Sequence, residues 1–207
     1  MNFFNPLKVF FIIVLLCFGV ERALADEPLS QLLNNIQTYR AHFTQTVFDP
    51  RGQILQTANG EMTLQRPGHF RWEIYQPTKQ LLIADGQHIW FYDINLQQIT
   101  VQKQTKADPD SPQALLSESS KNLSQRFIIQ PLKTIQGFTL FPKNKNALFQ
   151  NITLIFKNNL LYEMHLIDKL DQQTVINFSH IELNPILPKQ TFRFVIPKDK
   201  NIEIVKD

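Results

Sequence analysis

The sequence predicts a mainly β protein in which about eleven antiparallel strands curl into a barrel or half-barrel, accompanied by two short α-helices. From residue 41 onward, residues with high strand propensity alternate with glutamine, threonine and charged residues. The turns between these stretches are short, so they join antiparallel neighbours, since parallel strands need a crossover of a dozen or more residues. A sheet with this many strands tends to curl because an open edge and an uncovered apolar face are both liabilities.

The first element that the pattern predicts after residue 25 is a short amphipathic helix. Asp26, Glu27 and Pro28 lead into it, as acidic residues and proline often do at a helix start. Its apolar side chains recur at spacings of three and four residues, which is the period of one helix face. This apolar stripe, which we expect to cover part of the sheet, consists of Leu29, Leu32, Leu33 and Ile36.

Strand patterns follow in two groups, separated by turn residues such as Arg66-Pro67-Gly68. The first group comprises residues 42–48, 54–65, 69–75, 80–84, 88–93 and 97–103. The second group comprises residues 126–130, 136–141, 149–157, 160–168, 173–182 and 192–196.

A second short helix is predicted between the two groups. The alternation stops at residues 104–125, where Pro112 is followed by the apolar residues Ala114, Leu115 and Leu116. Two short helices can cover only part of one sheet face. The concave side of the sheet is therefore expected to be apolar but incompletely filled, and cavities of this kind bind small or lipidic ligands.

The first 25 residues have the layout of a cleaved secretory signal peptide. Residues 9–20 form an uncharged apolar run behind Lys8 and ahead of Ala23-Leu24-Ala25. This run is shorter than the roughly 20 residues that span a bilayer. Cys17 is the single cysteine and lies within the run, so residues 26–207, which we expect to form one domain, contain no cysteine. Acylation of Cys17 would need a small residue directly before it, but that residue is Leu16, so we do not expect a lipoprotein.

Composition and motifs disfavour most enzymes and nucleic-acid-binding proteins. The net charge is only +3 and no cluster of five basic residues occurs, so nucleic acid is not expected as a partner. The chain lacks a nucleophile elbow, a P-loop, a dinucleotide-binding glycine motif and a zinc-protease motif, and its histidines are scattered singly. A serine, a histidine and a carboxylate from distant positions can still meet in space, so a hydrolase stays an open alternative.

Aromatic residues are concentrated in two of the predicted strands, at residues 69–75 and 88–92. Strand alternation places Phe70, Trp72 and Ile74 on one face. Arg66, at the end of the preceding strand, shares the parity of that face. An arginine on an apolar face needs hydrogen-bond acceptors unless it extends into solvent at the strand end.

These segments carry a resemblance to a known family. The runs FTQTV at residues 43–47, LQRPGHFRW at 64–72, LLIADGQHIWFYD at 81–93 and TFRFVIP at 191–197, in this order, resemble the LolA family of periplasmic lipoprotein carriers. Residues 121–185 contribute only a strand pattern to this likeness. The resemblance implies an incomplete, half-open antiparallel β-barrel in which short helices form a lid over a hydrophobic cavity.

The resemblance also implies a site. Arg66 of the RP motif is expected to hold the lid closed by binding backbone carbonyls of the lid helices while the carrier is empty. The acyl chains of the cargo are expected to open the lid and to lie in a hydrophobic cavity formed by Leu64, Phe70, Trp72, Ile74, Leu82, Trp90, Leu115 and Leu116. Leu29, Leu32, Leu33 and Ile36 of the leading helix are expected to belong to the lid.

The implied partners are acylated lipoproteins, the inner-membrane ABC transporter LolCDE that releases them, and the outer-membrane receptor LolB that accepts them. The resemblance implies a monomer in the periplasm without enzymatic activity, metal, cofactor or nucleic acid. Since fold does not fix function, another envelope lipid-binding or stress-sensing protein on the same half-barrel is the main alternative, and an exported hydrolase is the other.

Overall fold

The computed structural model describes residues 26–106, 111–118, 123–198 and 201–206. The predicted signal peptide, residues 1–25, lies outside the described residues. Three α-helices are present in the described part of the chain: α1 (Asp26–Asn34), α2 (Pro112–Ser117) and α3 (Leu123–Arg126). The strands are β1 (Thr38–Phe48), β2 (Ile54–Gln65), β3 (His69–Gln76), β4 (Gln80–Asp85), β5 (His88–Asp93), β6 (Gln98–Lys103), β7 (Phe127–Pro131), β8 (Gly137–Pro142), β9 (Phe149–Lys157), β10 (Leu160–Asp168), β11 (Gln173–Leu183) and β12 (Glu203–Lys206).

All these strands belong to one sheet, in the order β12-β6-β5-β4-β3-β2-β1-β11-β10-β9-β8-β7. Neighbours pair antiparallel except β12 and β6, which are parallel. The sheet does not close, since β12 and β7 lie at its two edges. The predicted fold class, a mainly β, half-open barrel with few short helices, is confirmed.

The sheet curls around a single hydrophobic core. Side chains of one parity on β1, β2 and β3, among them Phe43, Met62 and Phe70, are buried there. Ile89 on β5 and Phe127 on β7 belong to the same cluster although their strands are far apart in the sheet order. A flat sheet could not bring these two residues together, so the face that carries them is concave.

Helix α1 closes one part of the concave face. Its apolar stripe, predicted from the helical spacing, is buried in the core cluster and consists of Leu29, Leu32, Leu33 and Ile36, the last just beyond the helix end. The link from α1 into β1 is held by Asn184 after β11, whose side-chain oxygen accepts from the Gln37 and Thr38 backbone N–H groups at 2.8 and 3.1 Å.

The strand predicted at residues 192–196 is wrong. Prolines at 185, 188 and 197 interrupt this region, and proline has no N–H group to give to a ladder. The backbone N–H groups of Thr191 and Arg193 instead donate to nearby carbonyls in local turns. The last strand, β12, lies further on and is parallel to β6, which the long connection from β11 permits.

The segment at residues 185–198 packs on part of the outer, convex face of the sheet, and this corrects the prediction for Trp90. Trp90 alternates with the core residue Ile89 and so lies on the outer face, where its ring stacks on Phe194 with centroids 5.0 Å apart. Its indole N–H donates to the carboxylate of Asp85 at 2.8 Å. An indole N–H that is partly shielded from water needs such a partner, and the outer face supplies it.

Candidate functional site

An apolar cavity of about 310 Å³ lies between α2 and the concave face of the sheet. It is lined by Gln45, Phe70, Trp72, Leu82, Pro112, Gln113, Leu116, Met164, Leu166, Thr174 and Ile176. These residues come from β1, β3, β4, α2, β10 and β11. The barrel wall and the short helix therefore build the cavity together.

Four of the residues predicted for the cavity line it: Phe70, Trp72, Leu82 and Leu116. Leu64 and Leu115 lie within the hydrophobic core instead, and Ile74 packs against that core. Trp90 lies on the other side of the sheet, as described above. The stripe of α1 is also part of the core and does not line this cavity.

Aromatic rings form one wall of the cavity. The Trp72 ring stacks on Phe43 with centroids 3.7 Å apart, and Phe70 lies parallel to Trp72 at 6.2 Å. This stack requires Gly60 on the neighbouring strand. A Cβ atom at Gly60 would lie 1.9 Å from the Glu73 carbonyl oxygen and 2.8 Å from Phe43 Cζ, so no larger residue fits.

Helix α2 covers the cavity and is too short to be stable by itself. Its six residues begin at Pro112, and the hydroxyl of Ser111 caps it by accepting from the Ala114 N–H at 3.3 Å. Isolated helices shorter than about 12 residues are marginal in water. The position of α2 therefore depends on its contacts with the barrel, which bury Leu115 and Leu116.

A group of polar contacts, here called the latch, fixes the C-terminal end of α2 to the barrel. Nη1 of Arg66 donates to the backbone carbonyl of Glu118 at 2.6 Å. The backbone N–H of Gly68 donates to the Ser117 carbonyl at 2.8 Å. Nε2 of Gln104 donates to the Gly68 carbonyl at 2.8 Å and to the Glu118 carboxylate at 3.0 Å. The latch residues are thus Arg66, Gly68, Gln104, Ser117 and Glu118.

The Arg66 guanidinium is only partly satisfied in this position. Its Nε and Nη2 atoms are buried without a hydrogen-bond partner among the described residues. Burial lowers the pKa of Arg66 to about 10, and the nearby Glu118 carboxylate opposes this shift. Arg66 is therefore protonated at neutral pH, but the closed position leaves part of a buried cation unpaired, which weakens the latch.

A second, larger cavity of about 600 Å³ lies on the other side of the sheet, beneath residues 187–194. Its walls include His69, Asp85, Lys189 and Arg193 beside Phe192 and Phe194. The charged and amide groups in these walls would have to be desolvated by an alkyl chain, which is unfavourable. The smaller, apolar cavity is therefore the better candidate for a lipid ligand.

Neither metal chemistry nor a membrane span is found in the described ranges. No group of three histidine, cysteine, aspartate or glutamate side chains comes close enough there to hold a metal ion. None of the helices within those ranges is both long and apolar enough to cross a bilayer.

Sequence reasoning missed part of the site. Met164, Leu166 and Ile176 lie in the region where only a strand pattern was recognised, and inner parity on β10 and β11 is the signal that could have found them. Gln104 carried no signal, because its role arises where three separate segments meet. Gln45 is part of the FTQTV run but was not assigned a role.

Comparison with known proteins places these features in context. The sequence profile of a family described as "Outer membrane lipoprotein carrier protein LolA" matches residues 34–195. An outer-membrane lipoprotein carrier protein from Coxiella burnetii is 38% identical over 193 residues, 91% of this chain and 90% of that protein. One from Pseudomonas entomophila is 36% identical over 193 residues, 90% and 93% of the two chains. The structure of an uncharacterized conserved protein from Thermus thermophilus is similar in fold, with a TM-score of 0.54 and 12% identity over 89% of this chain and 99% of that one.

Proposed function

Because the chain belongs to the LolA family of outer-membrane lipoprotein carrier proteins, we propose that it shields the acyl chains of outer-membrane lipoproteins while they cross the periplasm. It takes these lipoproteins from the inner-membrane transporter LolCDE and delivers them to the outer-membrane receptor LolB. It does so as a monomer and without a chemical reaction, since binding and release are all that a carrier needs.

The observation that carries this proposal is the apolar cavity beneath a helix that polar contacts hold in place. Exposing a methylene group to water costs about 0.8 kcal/mol, so two or three acyl chains with about 30–45 methylenes cost on the order of 24–36 kcal/mol. Lipoproteins therefore need a hydrophobic container between the membranes. Apolar contacts suit that container because they are non-directional and can be released without breaking specific bonds.

The small size of the cavity supports a closed position of α2 in the proposed carrier. A volume of about 310 Å³ is at the small end of the 300–1,000 Å³ found for drug-sized ligands. Several acyl chains require more room, which movement of α2 away from Phe70 and Trp72 would provide. The latch opposes this movement, and acyl chains favour it, so the carrier has two states whose balance the cargo shifts.

The experiment that tests the carrier function is depletion of the protein in the organism that encodes it. We expect outer-membrane lipoproteins to accumulate at the inner membrane, as measured by membrane fractionation and immunoblotting. A lipoprotein that normally stays at the inner membrane is the control and should not move. Normal delivery to the outer membrane after depletion would refute the proposal.

A further inference from the structure

The FTQTV run places a polar side chain on the apolar face of β1. Tyr39, Ala41 and Phe43 alternate along the inner face and are buried in the core. Gln45 follows with the same parity and lines the apolar cavity. Alternation predicts an apolar residue here, and exceptions to such patterns are most often found at functional sites.

Two further polar residues line the same cavity, whose other lining residues are all apolar. They are Gln113 on α2 and Thr174 on β11. Gln45 pairs with Ile176 on β11, which makes Thr174 its diagonal neighbour on the adjacent strand. Diagonal neighbours are about 7–8 Å apart, a span that one small polar group can bridge. Gln113 faces the cavity from the helix above.

The polar atoms of these three side chains have no hydrogen-bond partner among the residues that the structure describes. Each side chain is half-buried. Their polar atoms stay accessible to solvent, since the only side-chain atoms buried without a partner among the described residues are Nε and Nη2 of Arg66. An apolar cavity that retains three such groups is suited to a ligand that is mainly hydrocarbon but carries a few hydrogen-bonding atoms.

We propose that Gln45, Gln113 and Thr174 form a subsite for the carbonyl groups that link acyl chains to the cargo. This inference rests on the proposed carrier function and names the part of the lipid that the cavity recognises. The amide N–H groups of Gln45 and Gln113 and the hydroxyl of Thr174 donate to ester or amide carbonyl oxygens, while the methylenes lie against Phe70 and Trp72. The subsite distinguishes an acylated protein from plain hydrocarbon.

Two synthetic lipopeptides test the subsite. Both carry a glyceryl-cysteine with two sixteen-carbon chains, joined through esters in one and through ethers, which lack carbonyls, in the other. With the purified protein we expect about three- to tenfold tighter binding of the ester form, the size of one or two neutral hydrogen bonds. The Gln45→Leu variant should show a smaller ester preference without a loss of affinity for the ether form, and the triple variant Gln45→Leu, Gln113→Leu and Thr174→Val should bind both forms equally.

Matched variants and ligands complete the experiment. Gln130→Leu, at an exposed position of β7, should keep the ester preference. Because leucine leaves no unpaired amide in the wall, Gln45→Leu should fold at least as stably as the wild type in urea unfolding. An N-acylated version of each lipopeptide shows whether an amide carbonyl uses the same subsite, since its added affinity would then also depend on Gln45.

The outcomes separate the two proposals. Equal binding of ester and ether forms by the wild type, or an ester preference that Gln45→Leu and the triple variant leave undiminished, overturns the subsite and leaves the carrier function standing. If the wild-type protein binds none of these lipopeptides, whether ester, ether or N-acylated, both the subsite and the carrier function are overturned.

Discussion

Arg66 makes a charge-assisted bond from the barrel to the residue after α2, and in the proposed carrier this bond is what holds the lid closed most directly. Its Nε and Nη2 atoms, buried without partners in the described residues, offset part of what that bond contributes. Such a contact can hold an empty lid closed and still yield to a ligand. The sequence indicated that this arginine required acceptors, and the family resemblance indicated which ones.

Replacing Arg66 by leucine should favour the open, loaded state. The lost bond stabilises only the closed state, and bonds to charged groups contribute about 1.5–3 kcal/mol. We therefore expect tighter binding of a lipopeptide and release to the receptor that is about tenfold slower or more. Stopped-flow transfer of a fluorescent lipopeptide from the carrier to purified receptor measures this rate.

Arg71→Leu is the matched control for that experiment. Arg71 is on the next strand, with its side chain paired to Glu73 on the outer face. Transfer by this variant should match the wild type. If Arg66→Leu also released its cargo at the wild-type rate, the latch would have no role in handover.

Phe70→Glu should impair binding without touching the latch. Phe70 lines the cavity and is 5% exposed, so the carboxylate would face acyl methylenes in a poorly solvated space. We expect at least a tenfold loss of affinity for a fluorescent fatty acid, measured by titration. Because Phe70 is also a core residue, the half-buried cavity residue Leu82 provides a second variant, Leu82→Gln, with less effect on folding. Unchanged affinity in both folded variants would place the acyl site elsewhere.

Single residues were predictable from the sequence where strand parity determines their surroundings. Phe70 and Trp72 follow from alternation on β3, and the register with β4 places the predicted Leu82 opposite Trp72. Trp90 was misassigned because an aromatic strand residue can be buried on either face, and here the C-terminal segment buries the outer one. No local sequence pattern predicts the contacts of Gln104 in the latch, since Gln104 binds Gly68 and Glu118, which are distant from it in the sequence.

Among the secondary-structure elements, the hairpins were the most predictable, because each has a turn sequence and an alternating pattern that agree. The bounds of β2, β5, β9 and β10 match the predictions. The four-residue β12 is too short to show alternation, and its pairing partner β6 is a hundred residues away in the chain. The region at 191–197 has a strand-like composition, but its flanking prolines prevent a ladder.

The turn between β5 and β6 should make a pH-dependent contribution to stability. The backbone N–H of Leu96, then the side-chain amide of Gln80 and the N–H of Asn95, donate to the Asp93 carboxylate and hold its pKa below the usual value, against the effect of burial. A lowered pKa means that the ionised form stabilises the folded state. This contribution is complete above the unfolded pKa of about 4 and is lost as the pH falls through the folded pKa.

Asp93→Asn tests this contribution. At pH 7 the wild type should exceed the variant in free energy of unfolding by on the order of 1 kcal/mol, as measured in urea. The difference should shrink as the pH is lowered from 5 to 2. A difference that stays constant over this range would show that the charge of Asp93 does not stabilise the turn.

At the scale of the whole molecule, the two faces of the sheet differ: one lines the core and the cavity, and the other packs against the C-terminal segment. The concave face combines the core with the cavity, and part of the convex face of β3–β5 packs against the segment at residues 185–198. Half-barrel architecture followed from the number of strands and the scarcity of helices. The packing of this segment on the convex face could not be predicted from the sequence, because a segment without regular secondary structure has no periodic pattern of apolar residues.

Phe194→Ala should therefore affect stability but not binding. The substitution removes the stack on Trp90 and the edge contact with Tyr92 at 6.3 Å, which we expect to lower the free energy of unfolding by about 1–2 kcal/mol. Urea unfolding followed by tryptophan fluorescence measures this loss. The exposed neighbour Val195, changed to alanine, should remain within about 0.5 kcal/mol of the wild type. A fall in fatty-acid affinity in Phe194→Ala would contradict the separation of faces.

The open seam between β12 and β7 has a mechanical consequence. In a closed barrel the number of strands and their stagger set the diameter, so a wider barrel would require some hydrogen bonds between strands to break. Here the two edge strands are not bonded to each other. Widening the sheet at this seam would therefore break no ladder hydrogen bond, so the proposed carrier could hold cargoes of different size without losing any of its strand pairs.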